Sequence, residues 1–264
     1  MSFFERLGER IAAADSVLSV GLDPDPSRLP GWLDAELPRW AFNRRVIDAT
    51  AEHAACYKPN AAFYEDSDGW RALRETVAYA HGKGVPVLLD AKRGDVGNTA
   101  RQYARLLDTV DAITVNPYLG GDSLQPFLER EEKGVFVLCR TSNPGGRDFQ
   151  SLSVGNDVPL YEYVARRVAE WSRGNAGLVV GATAPEELET LREAVDLPFL
   201  VPGVGAQGGD VEAAVEYGLA EGVGLVNSSR GIIFAGEGAD NENQYLRAVG
   251  TAARRTKRRL NDHR

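Results

Sequence analysis

The chain has 264 residues, of which 43% are hydrophobic and 26% are charged, and its formal net charge is -8. These values are ordinary for a globular protein, and the negative charge argues against a nucleic-acid-binding role for the whole chain. No apolar run could span a membrane and the amino terminus lacks a signal-peptide pattern, so we expect a cytoplasmic protein with no membrane partner. Cys56 and Cys139 lie in apolar, strand-like runs and are expected to be reduced core residues.

Short apolar runs alternate along the chain with polar turns and amphipathic helical patterns. The runs are nearly continuous in their hydrophobicity, which is typical of parallel strands buried on both faces. Strands are predicted at Val17–Asp23, Ala54–Asn60, Val85–Lys92, Ala112–Asn116, Val135–Arg140, Ala176–Ala182, Phe199–Val204 and Gly222–Asn227. Helices are predicted at Arg39–Ala51, Trp70–His81, Tyr161–Trp171, Glu186–Ala194 and Asp210–Tyr217, and from about Asn243 to Arg259.

Eight strands, each followed by a helix, predict an α/β protein with a single (β/α)8 TIM barrel formed by residues 1–264. An open doubly wound sheet is the alternative, but no Gly-x-Gly-x-x-Gly motif follows the first strand. The long segment Thr141–Pro159 is rich in Gly, Ser and Asn, as lids and binding loops often are. The basic run Arg254–Arg259 is expected to form the solvated face and positive end of a last helix.

A cluster of charges ends the third predicted strand, in the sequence Asp90-Ala91-Lys92-Arg93-Gly94-Asp95. Because side chains alternate along a strand, Asp90 and Lys92 are expected on one face, with Asp95 at the turn that follows. Burying unpaired charge is expensive, so such a cluster is either a paired structural network or a working site. Its place at the tip of an apolar strand favours a site.

Polar residues also end the other predicted strands, and the carboxyl ends of barrel strands are where barrel enzymes do their chemistry. These residues include Asp23, Lys58, Asn116, Arg140, the segment Pro202–Gly209 and the segment Asn227–Gly231. The glycines of the 202–209 segment and Arg230 fit a phosphate pocket, because glycine lets the backbone approach an anion and arginine supplies a fork of donors. Three histidines without a Cys/His cluster give no zinc signature.

The segment Asp90-Ala-Lys-Arg-Gly-Asp95-Val-Gly-Asn-Thr99, taken with Lys58, the Pro202–Gln207 segment and Arg230, resembles the orotidine 5'-phosphate decarboxylase family. The resemblance runs in order through all eight predicted strands, and Thr141-Ser-Asn-Pro-Gly145 is similar to the longer microbial subgroup. Related phosphosugar barrels share the Asp-x-Lys-x-x-Asp core, but they carry a metal-binding acid where this chain has Lys58.

The resemblance implies decarboxylation of orotidine 5'-phosphate to uridine 5'-phosphate in de novo pyrimidine biosynthesis, by a carboxy-lyase with no cofactor and no metal. The implied catalytic residues are Lys58, Asp90, Lys92 and Asp95, with Lys92 protonating the ring carbanion. The implied substrate-binding residues are Asp23 on the ribose, Ser142 on the pyrimidine, Gln207 and Arg230 on the phosphate, and Thr99.

In the family that the chain resembles, Asp95 and Thr99 would reach into the neighbouring subunit's site, which implies a homodimer with shared active sites. Asn116 and Tyr118 are candidates for lining the pocket, without an assigned role. The carboxylates on either side of Lys92 in sequence favour its protonated form, as a general acid requires.

Three alternative functions use the same residues. A metal-dependent phosphosugar aldolase or decarboxylase could use Asp90 and Asp95 as oxygen ligands for magnesium, although Lys58 argues against it. A non-catalytic barrel could bind phosphorylated metabolites, and a Schiff-base aldolase could use Lys58 or Lys92.

Overall fold

A computed structural model of the chain describes residues 1–33, 35–183, 185–204 and 210–264. At its centre are eight parallel strands. They are β1 (Leu18–Leu22), β2 (Cys56–Pro59), β3 (Leu88–Arg93), β4 (Ala112–Val115), β5 (Gly134–Arg140), β6 (Ala176–Val180), β7 (Phe199–Val201) and β8 (Leu225–Ser228). They pair in the order β2-β1-β8-β7-β6-β5-β4-β3, and bridges from Tyr57 to Val87 and from Asn60 to Asp90 join the two ends. The sheet therefore closes into the predicted barrel.

Helices surround this barrel. They are α1 (Phe3–Ala14), α2 (Pro38–Thr50), α3 (Ser67–Gly82), α4 (Gly97–Ala104), α5 (Gly121–Leu128), α6 (Leu160–Trp171), α7 (Pro185–Ala194), α8 (Val211–Glu216), α9 (Arg230–Ile233) and α10 (Glu242–Asn261). The helical patterns found in the sequence correspond to α2, α3, α6, α7, α8 and α10, with ends that differ by a few residues. The short helices α4, α5 and α9 were not predicted.

Burial of the strands explains their sequences. Every residue of β1, β2, β4, β6 and β7 is buried, so a continuous apolar run is what these strands require. Cys56 and Cys139 are free and buried, as predicted.

Helix α1 precedes the first strand and was not predicted. Its Phe3, Leu7 and Ile11 are buried, and the Phe3 ring lies 6.2 Å from the Phe136 ring in an edge-on contact. A side chain at Gly134 would come within 2.4 Å of Phe3, so glycine at the start of β5 allows α1 to pack against the barrel.

The long segment after β5 has its own structure. Residues Pro144–Asp148 form a 3-10 turn, and Ser153–Val154 pairs antiparallel with Val158–Pro159. The segment begins where β5 ends, at the carboxyl end of the barrel, which is where barrel enzymes carry their binding loops.

The basic run near the carboxyl terminus lies on α10, as predicted. Ala252, Ala253 and Leu260 face the core, whereas Arg254, Arg255, Arg258 and Arg259 are exposed. Among the helices of the described ranges, none combines the length and the apolar character that crossing a membrane requires.

Candidate active site

A cavity of about 460 Å³ opens at the carboxyl ends of the barrel strands. Six of the predicted site residues line it, namely Asp23, Lys58, Asp90, Lys92, Ser142 and Arg230. Leu138, Val179 and Leu200 also line the cavity, and they supply apolar surface from β5, β6 and β7. A charged wall beside an apolar one suits a ligand with a planar ring and an anionic substituent.

Two lysines hold one carboxylate at the charged wall. Lys58 Nζ donates to Asp90 Oδ2 at 3.1 Å, and Lys92 Nζ donates to Asp90 Oδ1 at 2.5 Å. The Lys58 side chain is only 5% exposed, whereas that of Lys92 is 45% exposed. Lys58 is thus a fixed structural charge, and Lys92 is the ammonium group that can meet both a ligand and water.

Burial and neighbouring charges shift the pKa values of Lys58 and Asp90 in opposite directions. Burial disfavours the ammonium form of Lys58, but the carboxylates of Asp90 and Asp23 outweigh it and raise the pKa of Lys58. Burial also disfavours the Asp90 carboxylate, but Lys58, Lys92 and a hydrogen bond from Thr114 outweigh it and hold the pKa of Asp90 well below its usual range. Both groups are therefore charged at neutral pH.

Strand β3 does not alternate regularly where it carries Asp90 and Lys92, so the geometric reason given for their shared face is wrong. Leu89 pairs with Ile113 and Arg93 pairs with Val115, which leaves a bulge between them. Lys92 lies in this bulge with φ of 48°, the left-handed region that residues other than glycine rarely adopt. The two side chains still meet, as predicted, since Lys92 Nζ donates to Asp90 Oδ1.

Asp23 enters the cavity from the end of β1. Its Oδ1 is buried and has no hydrogen-bond partner among the described residues. A buried carboxylate oxygen without a donor is costly, so this atom is placed to accept from a ligand hydroxyl.

The opposite side of the cavity is built from the ends of β7 and β8. Arg230, at the start of α9, is exposed, and Gly203 has φ of 99°. A side chain at Gly21 would come within 1.7 Å of Ser229 Oγ, so β1 can approach the residue before Arg230 only because position 21 is glycine. Residues 205–209 of the predicted phosphate-binding segment Pro202–Gly209, which include Gln207, lie outside the described residues.

Ser142 lines the cavity at the base of the long loop, and a buried arginine that was not predicted as a site residue holds this base. Arg140 Nε lies 2.5 Å from Glu187 Oε2, off the hydrogen-bonding direction, and Arg140 Nη1 donates to the Thr141 carbonyl at 2.6 Å. Gln150 Oε1 accepts from the backbone N–H of Thr141 at 2.9 Å. This network ties the loop to β5 and to α7.

Asp95 and Thr99 do not line the cavity of their own chain. Asp95 Oδ1 accepts from the backbone N–H of Val96 at 2.8 Å, and Thr99 is exposed on α4. Asn116 and Tyr118 also lie off the cavity lining: Asn116 Oδ1 caps a turn through the N–H of Tyr118, whose side chain is 84% exposed. Of the described residues at the strand ends, some therefore line this cavity and others lie off it.

Metal ligation requires several donors at one point. Within the ranges 1–33, 35–183, 185–204 and 210–264, no three His, Cys, Asp or Glu side chains are grouped closely enough to hold an ion. Asp90 is instead held by two ammonium groups, which compete with a cation for its oxygens.

A closed parallel barrel with a charged cavity at the strand ends defines a (β/α)8-barrel enzyme. Residues 16–245 match the model of the orotidine 5'-phosphate decarboxylase / HUMPS family. The chain is 76% identical to the orotidine 5'-phosphate decarboxylase of Natronomonas pharaonis and 48% identical to that of Aromatoleum aromaticum, in each case over the full length of both chains. It is also similar to the solved OMP decarboxylase of Leishmania donovani, with 41% identity, a TM-score of 0.84 and coverage of 100% and 99% of the two chains. The chain belongs to the orotidine 5'-phosphate decarboxylase family, as its sequence motifs indicated.

Proposed function

We propose that residues 1–264 act as one catalytic unit that decarboxylates orotidine 5'-phosphate to uridine 5'-phosphate without a metal or cofactor. The observation that carries this proposal is the pairing of Lys58 and Lys92 with the single carboxylate of Asp90 at the mouth of the barrel. A phosphosugar enzyme of the same fold that uses a divalent ion needs an acid where this chain has Lys58.

In the proposed step the bond between the ring carbon and the carboxylate breaks. Carbon dioxide leaves and the electron pair remains on the ring carbon, which then takes a proton from Lys92 Nζ. Fixed positive charge near that carbon stabilises the developing carbanion, and the partly exposed Lys92 then recovers its proton from water. Protonation by an ammonium group already in place is the main catalytic contribution that we assign to this site.

Asp90 is expected to face the substrate carboxylate. Two like charges at about 4 Å repel by roughly 4 kcal/mol at an effective dielectric constant near 20, which corresponds to about three decades of rate. In this site, however, the Asp90 carboxylate is neutralised on both oxygens by lysines. We therefore assign Asp90 chiefly to holding the two ammonium groups, with repulsion as a smaller contribution.

The remaining cavity residues bind the other parts of the substrate in this proposal. Asp23, with its unpaired oxygen, accepts from the ribose hydroxyls, and Ser142 contacts the pyrimidine ring. Arg230, together with Gln207, binds the phosphate. Binding energy at the phosphate end holds the carboxylate against Lys92.

The proposal includes a homodimer in which Asp95 and Thr99 complete the partner's site. Both residues lie off their own cavity, and their surroundings carry exposed apolar side chains. Val96, Tyr118 and Leu119 are 50%, 84% and 47% exposed. The segment that carries Val96 lies beside the segment that carries Tyr118 and Leu119, because the N–H of Asn116 donates to the carbonyl of Arg93 at 2.8 Å. Such a patch next to unused polar residues fits an interface between two copies of the chain.

The test is the ultraviolet absorbance of orotidine 5'-phosphate mixed with purified protein in excess chelator. We expect loss of the substrate absorbance and formation of uridine 5'-phosphate, at a rate that added magnesium does not change. Absence of turnover, or turnover that only magnesium restores, would overturn the proposal. The second result would instead favour the metal-dependent alternative.

A further inference from the structure

Thr114 of β4 lies opposite the bulge that carries the charged cluster. The pairs Leu89–Ile113 and Arg93–Val115 flank it, so Asp90, Ala91 and Lys92 together face this one residue. Thr114 is fully buried. A buried hydroxyl needs hydrogen-bond partners among the groups around it.

The hydroxyl of Thr114 makes two hydrogen bonds into this bulge. It donates to Asp90 Oδ1 at 2.9 Å and accepts from the backbone N–H of Lys92, also at 2.9 Å. One hydroxyl therefore binds both the carboxylate of the cluster and the backbone of the proton donor. A methyl group in its place could make neither bond.

These two bonds act on the features that set the geometry of the cluster. Asp90 Oδ1 already accepts from Lys92 Nζ, and the second donor fixes the plane of the carboxylate. The N–H bond holds Lys92 at its φ of 48°, a conformation that persists in a non-glycine residue only where its surroundings impose it. The direction in which the Lys92 ammonium group points thus depends on the Thr114 hydroxyl.

We propose that Thr114 is a positioning residue for the decarboxylation: its hydroxyl sets the orientation of Asp90 and the left-handed backbone of Lys92, and so the direction of proton delivery. The proposal rests on the proposed function of the site. It assigns Thr114 no contact with the substrate, since Thr114 does not line the cavity among the described residues. Its loss is therefore expected to act on kcat rather than on substrate binding.

The experiment compares Thr114→Val, which keeps the shape and loses the hydroxyl, with Thr114→Ser, which keeps the hydroxyl. We expect Thr114→Val to lower kcat by about 10- to 100-fold while KM and the Kd for uridine 5'-phosphate change less than about threefold. Thr114→Ser is expected to keep kcat within about threefold of the unsubstituted chain. The matched control is Thr76→Val, which removes another buried hydroxyl, the acceptor for Asn43 Nδ2 at 3.0 Å, in helix α3.

Several outcomes would overturn the proposal. The first is an equal kcat in Thr114→Val and in the unsubstituted chain. The second is a loss of kcat in Thr114→Ser as large as that in Thr114→Val. The third is the same loss of kcat in Thr76→Val, measured between variants with equal unfolding midpoints. A second readout needs no turnover: the amide proton resonance of Lys92 is expected to move upfield in Thr114→Val and not in Thr114→Ser. If the unsubstituted chain has no activity, the proposed function fails, and an unmoved resonance in Thr114→Val then overturns the positioning role separately.

Discussion

Lys58 Nζ lies 3.1 Å from Asp90 Oδ2, and the two side chains are only 5% and 12% exposed. The pair joins β2 to β3 beside the bridge between Asn60 and Asp90, where the barrel closes. The contact that closes the sheet is therefore also the contact that builds the charged wall of the cavity. Removal of Asp90 would leave the buried Lys58 ammonium group without its hydrogen-bonded carboxylate, so this pair contributes to stability as well as to chemistry.

Arg230 is expected to act on substrate binding. Replacement of Arg230 by alanine removes a bidentate donor from the phosphate end of the cavity, so KM is expected to rise by about 10- to 100-fold with a smaller change in kcat. Steady-state kinetics with orotidine 5'-phosphate measure both constants. The control is Arg247→Ala, at an exposed position of α10 outside the cavity lining. An unchanged KM in Arg230→Ala would remove this residue from the phosphate site.

A shared active site predicts complementation between two inactive variants. In a heterodimer of Lys92→Ala and Asp95→Ala protomers, one of the two sites has both residues intact. Because random mixing makes half of the dimers heterodimers, an equal mixture is expected to recover about one quarter of the unsubstituted activity. Activity is assayed after the protomers have been unfolded and refolded together. No recovery, with heterodimers shown by mass spectrometry, would contradict a shared site.

The Arg140–Glu187 pair is expected to position the loop that carries Ser142. Replacement of Arg140 by methionine leaves Glu187 without its buried partner and frees the Thr141 carbonyl, so the free energy of unfolding is expected to fall by about 3–5 kcal/mol. The affinity for uridine 5'-phosphate, measured by titration calorimetry, is expected to fall as well.

A double variant separates these two effects. Arg140→Met with Glu187→Leu leaves no unpaired charge, so it is expected to regain part of the stability but not the ligand affinity. Full recovery of both would show that the pair stabilises the fold without positioning the loop.

The stability of the fold is expected to depend on the ionisation of Asp111 at acid pH. Burial disfavours its carboxylate, but hydrogen bonds from His81 and from the backbone N–H of Val87 outweigh it, so the pKa of Asp111 is lowered; Arg6 and Lys133 also face it. Because the pKa of Asp111 is lower in the folded chain than in the unfolded chain, its carboxylate contributes fully to the free energy of unfolding at neutral pH. This contribution is lost as the pH falls below about 4, where the unfolded chain takes up the proton first.

Urea unfolding between pH 7 and pH 3 tests this dependence. The midpoint of Asp111→Asn is expected to change less with pH than that of the unsubstituted chain. Asp157→Asn, at an exposed position whose left-handed φ of 59° also suits asparagine, is the matched control and is expected to keep the full dependence. Equal slopes for all three proteins would contradict the assignment.

The barrel could be predicted from the sequence because its strands are buried on both faces. Runs such as Ala176–Val180 are apolar at every position, and each is bounded by glycine or polar residues. The polar strand ends were equally visible, since Asp23, Lys58 and Arg230 interrupt or follow apolar runs that otherwise avoid charge. For these residues, the position at the end of a strand determines the position in the candidate active site.

Side-chain geometry could not be predicted in the same way. The bulge at Lys92 depends on pairing with β4, so strand alternation alone gave the right neighbours for a wrong reason. Thr114 looks like an ordinary strand residue in sequence, and Arg140 is visible only as one of the polar strand ends. Their roles arise from contacts with Lys92 and Glu187, which are distant along the chain. A buried arginine at the end of an apolar strand was the one available signal, because burying that charge requires a partner.

The most direct test is the rate of carbon dioxide release from orotidine 5'-phosphate by Lys92→Ala, compared with the unsubstituted chain and with Lys83→Ala, whose surface lysine pairs with Asp48. Uridine 5'-phosphate titration confirms that each protein binds its product. We predict that Lys92→Ala binds the product and loses at least about a thousandfold in kcat, while Lys83→Ala keeps its rate. A Lys92→Ala protein that binds the product and releases carbon dioxide at most of the original rate would contradict the assignment of Lys92 as proton donor.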